Sequence, residues 1–335
     1  MKPPLALPLF LKVLFLWQTC LVAEVKSYKA DVCVYGGTAS GVMAALASEK
    51  EGSKVILIEP TRYLGGMTGG GINHLDWGKG ETVGGSTYKI LMEGLKDQKR
   101  AHGGHAKHGI GNKQYRERFK KLVKDRGITV IYDHRVGKVQ VGDETFDKPT
   151  RQQPIAMGEK IPSKNKNNSI ESIFLDYAPV DEIGCPIPEP KKRNAITISA
   201  KVFIDCSYEG DLLAMSGVRY TWGRESRQHY DESLAGVRPS LWVHDIDPYV
   251  EPGNPESGLI PFVQDQKIGP LGSADALSMG YCFRYEFDTS GKGIPIPEPT
   301  NYDPAEFEVY RRAIRDGVDI FSNRHMRTTL NKFTV

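Results

Sequence analysis

The chain of 335 residues has no apolar run long enough to cross a membrane at ease. The longest, from Leu5 to Trp17, is broken by Pro8 and Lys12, whereas a spanning helix needs about 20 apolar residues. Neither sign of charge prevails. The 44 Lys and Arg face 41 Asp and Glu, a net charge of +3, and the +1 left without Lys2 and Lys12 is too little to hold a polyanion, which argues against nucleic acid as a partner. Cysteine is scarce, with 5 in all. Beyond Cys20 there remain Cys33, Cys185, Cys206 and Cys282. Cys33 and Cys206 lie in apolar, strand-like runs and read as small buried hydrophobes rather than as a disulfide. Metal-ligand chemistry is thin as well. "HGGHAKH" spaces His102, His105 and His108 three apart, but its glycines oppose a helix that would stack them, and no carboxylate or cysteine is close.

What is present begins with a leader. Lys2, the apolar run and the small residue Ala23 have the layout of a signal peptide over residues 1–23, so a secreted, extracellular mature chain is expected, the alternative being an uncleaved anchor. A single sequon, Asn167 to Ser169, sits in the polar run "SKNKNNS" and suits glycosylation of an exposed loop. With 39% apolar and 25% charged residues the chain can bury a full core and form two units, 24–216 and 217–335.

"DVCVYG" reads as a buried strand, "SGVMAALASEKEG" as a helix closed by Gly52, and "KVILIEP" as a second buried strand. Together they form a βαβ unit with parallel strands, so the fold class is α/β and Rossmann-like. "NKQYRERFKKLVKDRG" predicts a charged helix; "ITVIYDHRVGKVQV", "SIESIFLDY" and "NAITISAKVFIDCS" predict strands, and 142–166 a loop. A helix is expected at 86–99 and another in "PAEFEVYRRAIRDG".

The turn "VYGGTASG" lacks one glycine of G-x-G-x-x-G, because Thr38 stands in its place. Gly36 permits the tight exit from the strand and Gly41 close packing of the helix, while free N–H groups at the helix start favour a pyrophosphate. Thr38 adds bulk there and a hydroxyl donor. Glu59 ends the second strand 18 residues beyond Gly41, near the spacing of an acid that holds the adenosine ribose hydroxyls. Such an acid repels a 2′-phosphate, which disfavours NADP.

Three stretches, "DVCVYGGTASGVMAA", "VILIEPTRYLGGMTGGGINHLDWG" and "AKVFIDCSYEGDLLAMSGVRYTWGRE", resemble secreted or microbial FAD-dependent oxidoreductases, distant relatives of the succinate dehydrogenase and fumarate reductase flavoproteins. The resemblance runs from about Ala30 through Arg312, and Thr38 belongs to that family's own turn. It implies FAD rather than NAD, with Gly36, Gly37, Thr38 and Gly41 on the pyrophosphate and Glu59 on the ribose. It further implies Gly65, Gly66 and Met67 near the flavin, Val136 meeting the adenine through its main chain, and Asp211 beside the cofactor hydroxyls. An ordinary helix N-cap is the other reading of Asp211. His74 and Asp76, just beyond the glycine loop, are candidates for base and orienting acid. Arg284 falls where the family carries an arginine on a strand of its β-rich substrate domain, facing a polar or anionic substrate.

The expected activity is hydride transfer from a small organic, carbohydrate-like substrate to flavin. A non-catalytic matrix or binding protein and an NAD-linked dehydrogenase are the alternatives. No glycine-bearing return segment follows Gly317, so an incomplete substrate domain is expected, with a homo-oligomer or partner covering the flavin side.

Overall fold

The computed structural model describes residues 25–70, 85–86, 112–147, 169–181, 184, 187–218, 220–238, 246–265 and 268–277, and beyond them 286–288, 291–293, 295, 298, 302–318, 327–329 and 332–334. His74, Asp76, Arg284, Asn167, Cys185, Cys282, the three histidines of "HGGHAKH", the leader, and the expected helix past Ser86 lie outside these residues.

β1 (Lys26–Tyr35) leads through a turn into α1 (Ala39–Lys50) and returns as β2 (Val55–Glu59). Alternation along β1 sends Val32 and Val34 to one face of the sheet and Cys33 and Tyr35 to the other. β2 is buried along its whole length, as a strand covered on both faces must be. α1 stops because Gly52 takes φ +85° and its N–H bonds Glu49 O at 2.9 Å, which satisfies a last-turn carbonyl.

A short α2 (Gly66–Gly70) follows, then α3 (Asn112–Asp125), whose Tyr115, Phe119 and Val123 recur every four residues and pack against Val34, Leu57 and α1. β3 (Thr129–Tyr132), β4 (His134–Val141), β5 (Glu144–Phe146), β6 (Ile170–Tyr177) and β7 (Lys192–Asp205) complete one seven-stranded sheet of order β3-β2-β1-β7-β6-β4-β5. Its β3-β2-β1-β7 half is parallel, and the β7-β6-β4-β5 half is antiparallel. β5 corrects the expectation of a loop from residue 142: the turn after β4 folds three residues back onto Val139–Val141.

One core cluster joins Tyr35, Ile56 and Ile58 of the parallel half to Val136, Val139, Ile173 and Leu175 of the antiparallel half. The antiparallel half therefore curls over the face that α1 and α3 leave uncovered. The fold is α/β and Rossmann-like.

α4 (Asp211–Met215) and α5 (Arg227–Tyr230) follow β7. Arg224 and Asp275 then form a bidentate pair on a two-residue antiparallel bridge. α6 (Glu308–Arg315) is anchored by buried Arg312, which donates to the carbonyls of Asp247 (2.9 Å), Tyr249 (2.6 Å) and Val250 (3.1 Å) and pairs with Glu308. β8 (Glu286–Asp288), β9 (Arg327–Thr329) and β10 (Lys332–Thr334) form a small antiparallel sheet with β10 in the middle. Among the described residues no helix is long and apolar enough to cross a membrane, and no group of three or more His, Cys, Asp or Glu is placed to hold a metal.

Candidate functional site

The site forms where β1, β2 and β7 end together. Gly36 takes φ +93°, which a Cβ would strain, and that Cβ would lie 2.6 Å from Ser207 N. Gly36 N donates to Ile58 O at 2.9 Å and Cys206 N to Tyr35 O at 2.7 Å, so the exits of all three strands are tied. A Cβ on Gly41 would stand 1.9 Å from Gly36 O, so the first turn of α1 rests directly on the strand exit. The N–H groups of Ala39 and Ser40, at the first two helical positions, have no acceptor within their own helix. Ser40 is exposed. These are the donors that a phosphate meets at a helix start.

Thr38 fills the position of the absent glycine with a different task from the one expected. Its hydroxyl donates to Cys206 O at 2.8 Å, accepts from Gly41 N at 3.2 Å, and shares a bond with Ser40 Oγ at 2.9 Å. The hydroxyl proton is thus directed into the protein, and Thr38 serves as N-cap of α1 and as a tie to the β7 exit rather than as an extra phosphate donor.

Glu59 is 5% exposed. Its Oε2 accepts from Gly37 N at 2.8 Å, and its Oε1 accepts from Thr61 N at 2.7 Å and Thr61 Oγ1 at 2.6 Å. A carboxylate offers about four acceptor positions, so one remains for a ribose hydroxyl. Burial pushes the Glu59 carboxyl above its usual range; the three donors oppose this and nearby Glu209 adds to it.

The glycine loop after β2 uses its freedom first for protein packing. A Cβ on Gly65 would meet the Phe119 ring at 2.4 Å, and one on Gly66 would meet Tyr208 Oη at 2.2 Å. Met67 is half-exposed, and its N–H donates to that same Tyr208 hydroxyl at 2.8 Å.

After β7, Asp205 Oδ1 accepts from Ser207 N (2.8 Å) and Ser207 Oγ (2.7 Å), and Oδ2 accepts from Leu213 N (2.8 Å). The carboxylate that caps α4 is therefore Asp205, not Asp211, and Gly210 takes the cap position in the left-handed region at φ +69°. Asp211 is left half-buried at the site. Burial raises its carboxyl, Glu209 and Asp205 raise it further, and Arg135 opposes them. Val136 sits against the same junction, but its N–H is directed inward to the Tyr35 hydroxyl at 3.3 Å, so any contact of this residue with adenine falls to its remaining main-chain atoms. Cys33 is a buried free thiol and Cys206 a half-buried one, less enclosed than its apolar run suggests; burial pushes both up.

Sequence reasoning missed Thr61, Asp205, Ser207 and Tyr208. The quoted "DCSYEGD" contains three of them. An acid ending a strand, followed at once by small and turn residues, is the same signal as "IEPT" at the end of β2.

A parallel strand, glycine turn, helix and second strand ending in a buried acid define a dinucleotide-binding α/β protein. The residues fit FAD in particular terms: glycine positions where a Cβ has no room, two first-turn amides with no acceptor inside α1, and an acceptor position left on Glu59. The family model of the FAD dependent oxidoreductases matches residues 31–156 and 187–334. The chain belongs to this family, and FAD is its cofactor.

No curated protein matches the chain. Among solved structures it is similar to a geranylgeranyl bacteriochlorophyll reductase-like protein from Thermoplasma acidophilum (15% identity, 58% of this chain and 43% of that one, TM-score 0.33). It is also similar to THI4 from Thermovibrio ammonificans (13%, 57% and 64%, TM-score 0.33). A third is the bacillithiol disulfide reductase Bdr from Bacillus cereus (14%, 53% and 39%, TM-score 0.29). The chain spans less than two thirds of the length of each.

Proposed function

We propose that this chain is a secreted flavoprotein that oxidises a small organic, carbohydrate-like substrate. The observation that carries the reading is the junction at the carboxyl ends of β1, β2 and β7, where the amides that open α1 and the buried Glu59 lie on the two sides of one turn. Gly36, Gly37, Thr38 and Gly41 shape the turn on which the pyrophosphate lies, and the amides that open α1 at Ala39 and Ser40 receive it. Glu59 takes one ribose hydroxyl, and Asp211 accepts from a cofactor hydroxyl. Gly65, Gly66 and Met67 border the flavin end, and Val136 borders the adenine. When bound, FAD supplies two-electron acceptor chemistry. His74 is assigned as base, Asp76 as the acid that orients it, and Arg284 as the group that holds a polar or anionic substrate. A second copy or a partner covers the flavin side, and residues 1–23 leave as a signal peptide.

The visible spectrum of the purified secreted chain tests the cofactor, and anaerobic bleaching of that spectrum by a panel of sugars and sugar acids tests the substrate class. A flavin band bleached by members of the panel is the expected result. A flavin band that no substrate bleaches points to a binding protein that keeps the fold, and a colourless protein that takes up no added FAD overturns the reading.

A further inference from the structure

Three hydrogen bonds link the three segments of the site into a closed ring. Gly65 N to Gly37 O (2.8 Å) joins the glycine loop to the turn after β1, and Thr38 Oγ1 to Cys206 O (2.8 Å) joins that turn to the segment after β7. The third side, from the segment after β7 back to the glycine loop, is Met67 N to Tyr208 Oη at 2.8 Å. Tyr208 makes this link with a side chain that is itself 57% exposed, so the ring is not there to fill a core. The residue before Met67 is fitted to the same hydroxyl. Gly66 sits at φ +51°, and any Cβ there would come within 2.2 Å of the Tyr208 hydroxyl, so the loop is shaped around the phenol.

We propose that Tyr208 is a positioning residue for FAD: its hydroxyl closes the ring and fixes the Gly65–Met67 loop against the two turns that receive the cofactor. This rests on the FAD site proposed above and adds a residue to it. The physical reason is preorganisation. With the third bond in place the loop has one conformation before the cofactor arrives, and binding does not have to order it. Without that bond the loop keeps Gly65 N to Gly37 O and, further along α2, Arg116 Nε to Gly69 O (3.0 Å), but it loses its link to the segment after β7.

The test compares the full secreted chain with Tyr208→Phe, Gly66→Ala and the double variant. Three readouts apply: amide hydrogen exchange at Met67 without cofactor, the rate of FAD release, and the thermal midpoint. Tyr208→Phe keeps the ring and removes only the hydroxyl, so the midpoint should stay in place. Met67 exchange should quicken, and FAD release should speed by about five-fold, the range of one neutral hydrogen bond. Gly66→Ala displaces the phenol and should do the same more strongly. Because both act on one contact, the double variant should be no worse than Gly66→Ala. Unchanged FAD release in Tyr208→Phe, or unchanged Met67 exchange, overturns this role and leaves the FAD site standing. A wild-type chain that binds no FAD overturns the site and this role together. Additive effects in the double variant overturn the shared contact.

Discussion

Glu59 is a carboxylate asked to remain ionised while almost fully buried, and that makes the turn sensitive to pH. Burial raises its carboxyl above the ordinary value despite the donors from Thr61 and Gly37. An acid raised in the folded state contributes most below its unfolded pKa, and that contribution is lost as pH rises through the raised value. The penalty of Glu59→Ala, measured as the difference in urea unfolding from wild type without FAD, should therefore be about 1–3 kcal/mol near pH 4 and shrink toward pH 8. A penalty that grows with pH would contradict the direction of the shift. Gly41 allows a blunter expectation at the same scale. A methyl group 1.9 Å from Gly36 O has nowhere to go, since its neighbour is backbone rather than a flexible side chain.

Among the elements, α6 is held by one guanidinium. Arg312 satisfies three carbonyls of the 247–250 segment and Glu308 at once, and it is 6% exposed. Arg312→Ala leaves those carbonyls to water or unpaired, and should cost about 3 kcal/mol of local stability. Hydrogen exchange resolved by segment should show 247–260 and 308–315 losing protection together while β1 and β2 keep theirs. Loss confined to the helix would remove Arg312 as the link. The elements also show what a sequence discloses. β1, α1, β2 and α3 were legible because their signals are local: alternation, a cap, a closing glycine, apolar residues every fourth position. β5 was not, since three residues reading Glu-Thr-Phe carry no pattern. Asp211, the first residue of α4, offers the sequence a cap as one of its two readings, but the capping carboxylate lies elsewhere. It is Asp205, because the tight 206–210 turn doubles the chain back so that the strand-ending carboxylate faces Leu213 N. The glycines at 65 and 66 were legible as special positions but not in purpose, because Phe119 and Tyr208 are 54 and 142 residues away in the chain.

For the whole molecule, the decisive pairing is β1 with β7, in register from Lys26↔Ile196 to Tyr35↔Asp205. The first strand to be synthesised takes a neighbour that emerges from the ribosome about 170 residues later, and until then one edge of it is open. Contacts this distant in sequence make folding slow, and an unpaired hydrophobic strand edge invites pairing with other chains. The cofactor turn is equally late. Thr38 has no tie to the β7 exit until Cys206 arrives, and the close approach that demands Gly36 does not exist before Ser207. FAD is therefore expected to act on a nearly complete chain rather than on a nascent one. A fragment of residues 25–147 should aggregate and retain no flavin, whereas extension through residue 218 should restore the sheet and measurable flavin uptake. Equal uptake by the two fragments would show that the turn forms without β7. The topology thus makes the binding site a report on finished synthesis: a chain arrested before its seventh strand carries most of the cofactor motif in its sequence but lacks the Cys206 and Ser207 contacts that close it in space.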